Sequence, residues 1–83
     1  DINTRDDSDD TALHVASAKG HIQIVKYLLD KGANVNAVNK TKSTPLHKAA
    51  MGNNIIVVRI LVEKGADVDA VNAMGMRAEG AQS

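Results

Sequence analysis

Thr11-Ala12-Leu13-His14 returns as Thr44-Pro45-Leu46-His47 after thirty-three residues, and this recurrence is the strongest feature of the sequence. Aligned without a gap, residues 11–43 and 44–76 are identical at fourteen of thirty-three positions. A fixed period of this length is typical of a repeat protein, in which each unit buries its apolar face by stacking on a neighbour. The repeat therefore predicts that function lies on a surface and not in a pocket.

Composition narrows the class of protein. The chain has 83 residues, enough for one small domain, and its formal net charge is zero. It has no cysteine, which excludes a disulfide framework and thiolate zinc ligands and favours an intracellular, cytoplasmic setting. No apolar run reaches the length of a membrane-spanning helix, so we expect no membrane partner.

Each repeat is predicted to contain two short antiparallel helices. In the first repeat, Thr11 is a suitable N-cap for an alanine-rich helix over residues 12–19, and Gly20 supplies the left-handed residue that ends it. His21 opens a second helix, whose apolar positions fall at helical spacing until Gly32 ends it. These apolar positions are Ile22, Val25, Leu28 and Leu29.

The second repeat copies the first with small changes. Thr44 is the predicted cap, and Pro45 occupies the first helical position, where its missing N–H has no consequence. Asn53 stands where the first repeat has Gly20, and asparagine also tolerates the left-handed region. The buried stripe of the second helix is predicted to be Ile55, Val58, Leu61 and Val62.

A turn-rich segment follows each helix pair, at residues 32–39 and 65–72, and we predict that it forms a projecting hairpin, or finger. Residues 1–10 fit the same frame and form the tail of a preceding repeat. The predicted organisation is therefore an array over residues 1–76, with this leading finger, one repeat over 11–43 and one over 44–76. Residues 77–83 do not match a third repeat and are expected to be an incomplete tail.

The Thr-Pro-Leu-His tetrad, the Gly65-Ala66-Asp67-Val68-Asp69-Ala70 run and the spacing together resemble ankyrin repeats. The resemblance implies an all-α ankyrin-repeat solenoid of stacked helix-turn-helix pairs with projecting β-hairpin loops. It also implies that inner helices and finger tips form a concave face that binds other proteins. Family members usually carry glycine two residues before the threonine, where this chain has Asp9 and Lys42, so the resemblance does not fix the geometry of these two tips.

The family's variable positions, carried over residue by residue, give the predicted partner-binding residues. They are Asp7, Ser8 and Asp10 in the first finger, Lys40, Thr41 and Ser43 in the second, and Ala73, Met74 and Met76 in the third; Val15, Ala18, Lys19, Lys48, Met51 and Gly52 on the inner helices; and Lys31 and Lys64 at the rim. Met51 and Met74 are expected to offer an adaptable apolar spot, with plain packing as the alternative.

The histidines do not indicate catalysis or a metal site. His14 and His47 are about 10 Å apart if helices pack at ordinary spacing, which is too far for one zinc ion, and His21 is isolated in the sequence. In the resembled family the repeated histidine bonds its own cap and the neighbouring turn. We therefore predict no enzyme activity, cofactor or metal. A single aromatic residue leaves little on which a base can stack, so nucleic acid is not expected either.

Asn36 is similar to finger asparagines that an asparaginyl hydroxylase modifies in ankyrin arrays, and the alternative is a side chain that satisfies backbone groups. A second alternative concerns the whole chain. In this alternative, the chain is a structural segment or minimal scaffold of a longer repeat array and associates through its exposed, uncapped ends. On that hypothesis the first helix pair presents Leu13, Val15, Ile22 and Val25 at its end.

Overall fold

Four α-helices in two pairs make up the described part of the chain. A computed structural model describes residues 3–69, with α1 at Ala12–Lys19, α2 at Ile22–Asp30, α3 at Pro45–Met51 and α4 at Ile55–Glu63. Each repeat contributes an inner helix, α1 or α3, packed on its outer helix, α2 or α4. The inner helices also pack on each other, and the outer helices do the same, so the repeats stack in register. The predicted all-α repeat architecture is confirmed.

The ends of α1 follow from local chemistry as predicted. The Thr11 hydroxyl accepts a hydrogen bond from the His14 backbone N–H, which satisfies one of the free donors at the helix start. Gly20 ends the helix at φ 73°, a left-handed conformation that glycine adopts without a steric penalty. The predicted cap, span and stop of this helix are all confirmed.

The second repeat starts and stops its inner helix in a related way. Thr44 caps α3 and Pro45 occupies its first turn, as predicted. The helix ends one residue earlier than α1 does in its own repeat, at Met51, and the left-handed residue is Asn53 at φ 58°. Asparagine therefore takes over the conformational role of Gly20, as the sequence indicates.

The core runs continuously through both repeats. Its largest members are fully buried aliphatic side chains from all four helices, and burial of each contributes roughly 1.5–3 kcal/mol relative to exposure. These are Leu13 from α1, Val25 from α2, Leu46 from α3, and Val57 and Leu61 from α4. Ala16 of α1 and Ala49 of α3 are also buried in this core, and a larger side chain at either position would have to displace closely packed neighbours.

The predicted buried stripe of α4 is partly wrong. Leu61 is buried and Val58 half-buried, but Ile55 is 64% exposed and Val62 is also exposed. Val57, which the prediction left out, is only 1% exposed. The helical period predicts only the face of α4 that packs on its inner helix. The outer helix α4 also packs on the preceding outer helix, α2, and this contact buries a second face.

The fingers contain turns but almost no strand. Within residues 3–69 the backbone forms one isolated antiparallel bridge, between Arg5 and Thr11. The tip of the second finger closes by two hydrogen bonds, from the Asn39 N–H to the Ser43 carbonyl (3.1 Å) and from the Lys42 N–H to the Asn39 carbonyl (2.9 Å). The predicted β-hairpins are thus tight turns on extended arms that are too short for a ladder.

The expected apolar surface at the end of the first helix pair also needs correction. Leu13 and Val25 are buried and Ile22 is half-buried, and all three belong to the shared core of the two repeats or pack against it. Val15 is exposed as expected. Ile24 is the exposed residue that the prediction missed: it is 49% exposed, although Val57 at the equivalent position of the second repeat is buried.

Candidate functional site

His14 links the start of its own helix to the following finger. Its Nδ1 accepts hydrogen bonds from the Thr11 N–H (3.1 Å) and hydroxyl (2.9 Å), so the ring proton is on Nε2, which donates to the Ser43 carbonyl (2.8 Å). The second repeat repeats the cap, with the Thr44 N–H 3.0 Å from His47 Nδ1. The predicted bond to the cap is confirmed for both histidines, and the bond to the neighbouring finger is confirmed for His14.

Burial holds the pKa of His14 below its ordinary value of 6.5. The hydrogen bond to the Ser43 carbonyl and the charge of Asp10 favour the protonated ring, but desolvation has the larger effect. The charges of Lys48 and Arg5 lower the pKa further. A neutral ring fits the geometry, since Nδ1 must be free of a proton to accept from Thr11.

One side chain organises each finger tip. In the first finger, Asp6 Oδ1 accepts from the N–H groups of Ser8 and Asp10, both at 2.9 Å. In the second, Asn39 Oδ1 accepts from the N–H groups of Thr41 and Ser43, also at 2.9 Å. These are equivalent positions thirty-three residues apart, so the two tips have the same internal scaffold. The exposed residues of each tip are thereby held on an ordered turn.

Successive fingers are also bonded to each other. The Lys40 N–H donates to the Ser8 carbonyl (3.1 Å), and Asn39 Nδ2 donates to Asp10 Oδ1 (2.7 Å). Arg5 reaches across to the Val38 carbonyl. The first and second fingers therefore form one continuous surface and not two independent loops.

A ladder of asparagines joins the arms of the fingers. Asn3 Oδ1 accepts from the Asn34 N–H (3.0 Å), and one repeat later Asn36 Oδ1 accepts from the Asp67 N–H (2.8 Å). Asn36 Nδ2 also donates to the Gly65 carbonyl (3.3 Å). The Asn36 side chain thus satisfies backbone groups, which is the structural alternative considered for it from the sequence.

Two residues that stand at the family's usual glycine position have a left-handed backbone conformation. Asp9 has φ 61° and Lys42 has φ 59°, in the left-handed region that glycine occupies without strain. An L-residue costs roughly 1–2 kcal/mol in this conformation, somewhat less for aspartate than for lysine. The tip geometry that the sequence left open is therefore one that glycine would adopt without strain, and it is held here at a local energetic cost.

Asn54 ties the second repeat to the end of α1. Its Nδ2 donates to the carbonyls of Ser17 (2.8 Å) and Ala18 (3.0 Å) in the last turn of the helix, where carbonyls lack the usual acceptor bond from the residue four positions on. The same close approach explains Gly52, because a Cβ there would lie 2.8 Å from the Ala18 carbonyl oxygen. Gly52, predicted as a partner-binding position, therefore has at least this packing role.

Most of the predicted partner-binding side chains within residues 3–69 are exposed. Met51 is 53% exposed and Val15 is 40% exposed, and both are on the inner helices. The other exposed members are Asp7, Ser8, Ala18, Lys19, Lys31, Lys40, Thr41, Gly52 and Lys64. Ala73, Met74 and Met76 lie outside the described residues.

Three of the predicted residues are less accessible. Ser43 is buried, and its carbonyl bonds His14 while its hydroxyl lies 3.1 Å from the Thr41 hydroxyl. Asp10 and Lys48 are half-buried. Ser43 therefore supports the finger from within, and a partner would reach it only after rearrangement of the tip.

Lys42 is a candidate partner-binding residue that is absent from the set predicted from the family's variable positions. It is exposed, and it lies in the tip of the second finger between Thr41 and Ser43. The family position it occupies is normally glycine, so the resemblance gave no reason to include it. Its charge next to Lys40 was the available signal.

Neither a metal-ligand cluster nor a membrane-spanning helix is found in the described part of the chain. Within residues 3–69, no group of three or more His, Cys, Asp or Glu side chains is arranged to hold a metal ion. No helix in that part of the chain is both long enough and apolar enough to cross a membrane.

Comparison with known proteins agrees with the architecture. Residues 1–72 match the family described as ankyrin repeats (3 copies). The chain is 54% identical over 37 residues to alpha-latrocrustotoxin-Lt1a of Latrodectus tredecimguttatus and 40% identical over 38 residues to alpha-latrotoxin-Lh1a of Latrodectus hasselti. It is 49% identical over 37 residues to human ankyrin repeat domain-containing protein 49.

These relatives are much longer than the matched segment. Each match covers 45% or 46% of this chain, but 3% of either toxin and 16% of the human protein. Ankyrin repeats are generally non-enzymatic modules for protein–protein interaction. With the repeated capping histidines, the stacked helix pairs and a family match across residues 1–72, the chain belongs to the ankyrin repeat family.

Proposed function

We propose that the chain is a non-enzymatic protein–protein interaction module that binds a partner on its concave face, formed by the inner helices and the finger tips. The observation that carries this proposal is the exposure of Val15 and Met51. The other large apolar side chains of α1 and α3 are buried. Val15 lies on α1 and Met51 on α3, and each of these helices directly follows an ordered finger that is hydrogen-bonded to the other finger. Exposed apolar groups with a polar rim are typical of protein interaction surfaces.

The fingers support the same proposal through their rigidity. Their tips are held by Asp6 and Asn39, and they bond each other through Lys40 and Ser8. A surface that is ordered before binding loses less conformational entropy when a partner docks. We further propose an intracellular, cytoplasmic location, supported by the absence of cysteine from the sequence.

A pull-down from cell lysate with three forms of the chain tests the proposal. The parent is compared with a concave-face variant, Lys40→Glu with Met51→Ser, and with an outer-helix variant, Lys26→Glu with Ile56→Ser. The variants are matched because both lysines are exposed and because Met51 and Ile56 are 53% and 55% exposed. We expect proteins bound by the parent to be lost with the first variant and kept with the second. The reverse pattern would contradict the assignment of the binding face.

The alternative function is association through the end faces of the helix stack. The exposure of Ile24, Ile55 and Val62 on the outer helices specifically favours it. Light scattering over a range of concentrations separates the two proposals, because end-to-end association raises the apparent mass with concentration. In that case Ile24→Lys should restore a monomer, whereas a concave-face module stays monomeric throughout.

A further inference from the structure

The inner helices and the second finger carry positive charge only. Neither α1 nor α3 contains an acidic residue, and each carries one lysine, Lys19 or Lys48. The second finger adds Lys40 and Lys42, both exposed, without an acidic residue between them. The structure gives none of these four lysines an ion-pair partner among residues 3–69. Lys19 and Lys48 lie about one helical turn from the exposed side chains of Val15 and Met51, and Lys40 and Lys42 lie in the finger that leads into α3.

Negative charge is concentrated in the first finger, which lies next to the second finger in the stack. Asp6 and Asp10 use carboxylate oxygens to bond backbone or side-chain donors within the fingers. Asp7 is exposed and has no such bond in the structure. The Lys40 N–H bonds the Ser8 carbonyl and Asn39 Nδ2 bonds Asp10 Oδ1, so the acidic finger lies directly beside the finger that carries Lys40 and Lys42. The surface is therefore polarised from acidic to basic over the span of one repeat.

We infer that the partner presents an acidic peptide segment with one large apolar side chain, and this inference rests on the proposed concave-face function. The apolar side chain lies against Val15 and Met51, and the acidic residues face Lys19, Lys40 and Lys48. The first finger repels the acidic part of the segment, so Asp7 sets its direction across the surface. Complementary charge of this kind fixes the orientation and speeds association, while the apolar contact slows dissociation.

Selection of peptides from a random linear library on the immobilised chain tests the inference. The expected result is enrichment of sequences with an excess of Asp and Glu over Lys and Arg around at least one Leu, Ile, Met or Phe. Binding of a selected peptide, followed by fluorescence anisotropy, should weaken about tenfold with Lys40→Glu and with Met51→Ser. The matched controls Lys26→Glu and Ile56→Ser should leave it unchanged. Asp7→Lys should tighten it, because a repulsive charge becomes attractive.

Other outcomes separate failure of this inference from failure of the proposed function. Basic or uncharged selected peptides that still lose binding with Met51→Ser would overturn the inference and leave the concave face as the binding site. Selected peptides that respond only to Lys26→Glu or Ile56→Ser would overturn both. If a single-stranded oligonucleotide binds as tightly as the peptide and Met51→Ser has no effect, the surface attracts any polyanion and the inference is wrong. Failure to enrich any sequence also counts against it.

Discussion

Replacement of Lys42 by glycine is expected to stabilise the protein. Lys42 has φ 59°, where an L-residue costs roughly 1–2 kcal/mol and glycine costs nothing. Glycine also gives the unfolded chain more freedom, which costs about 0.5–1 kcal/mol. The difference predicts that Lys42→Gly raises the free energy of unfolding by up to about 1.5 kcal/mol, with a central value of about 0.75 kcal/mol. For a domain of this size, the central value corresponds to a rise of about 3–6 °C in melting temperature.

Lys40→Gly is the matched control, because it removes one lysine from the same finger at a position without positive φ. It relieves no strain, so it should destabilise the protein by about 0.5–1 kcal/mol through the same effect on the unfolded chain. Urea unfolding followed by far-UV circular dichroism measures both variants, and the m-value should stay constant. Equal destabilisation by the two glycines would refute the assignment of strain to the finger tip.

Three further predictions concern hydrogen bonds that the structure assigns. Because the pKa of His14 is lowered in the folded state, the unfolded chain takes up the proton more readily. The free energy of unfolding should therefore fall as the pH drops below about 6.5. Thermal melts between neutral and mildly acidic pH should show a steeper loss of stability for the parent than for His14→Gln. Ser17→Ala should stabilise by about 1 kcal/mol in urea unfolding, because the Ser17 hydroxyl is buried without a partner, and a loss of stability would imply a bond that the structure lacks. Asn54→Ala should lower the free energy of unfolding by about 1–3 kcal/mol, because it removes two hydrogen bonds to the end of α1. The control Asn53→Gly should be nearly neutral, because Asn53 already has positive φ. Comparable losses in the two variants would argue against the cross-repeat role of Asn54.

Local sequence signals were sufficient for the repeat unit itself. Thr11, Thr44 and Gly20 act through neighbours within a few residues, so their roles can be predicted from residue type and spacing. The same holds for Asn53, whose left-handed conformation is a property of asparagine. The cap bonds of His14 and His47 were predicted because the resemblance implied them.

Packing between repeats could not be predicted from helical period. Val57 is buried and Ile55 exposed, although both are β-branched residues at the start of α4. The difference depends on where α2 packs against α4, and the sequence of α4 alone does not reveal that position. Asn54 was missed for the same reason, since its partners lie about one repeat earlier in the chain.

The prediction of the candidate binding surface assumed that the family's variable positions are exposed in this chain. That rule placed Met51 and Lys40 on the surface, and both are exposed. It failed for Ser43, because the bonds to His14 and within the tip hold that residue inside the finger. It also passed over Lys42, where this chain departs from the family's glycine.

The central claim is that the concave face binds the partner, and mapping of amide chemical shifts tests it most directly. The isotope-labelled chain is titrated with a protein that the parent captures from lysate, and each backbone N–H is followed by NMR. We expect the largest changes at Ser8, Val15, Lys19, Lys40 and Met51, on the fingers and inner helices. Changes concentrated at Ile24, Lys26 and Arg59 on the outer helices, with the fingers unaffected, would contradict the claim.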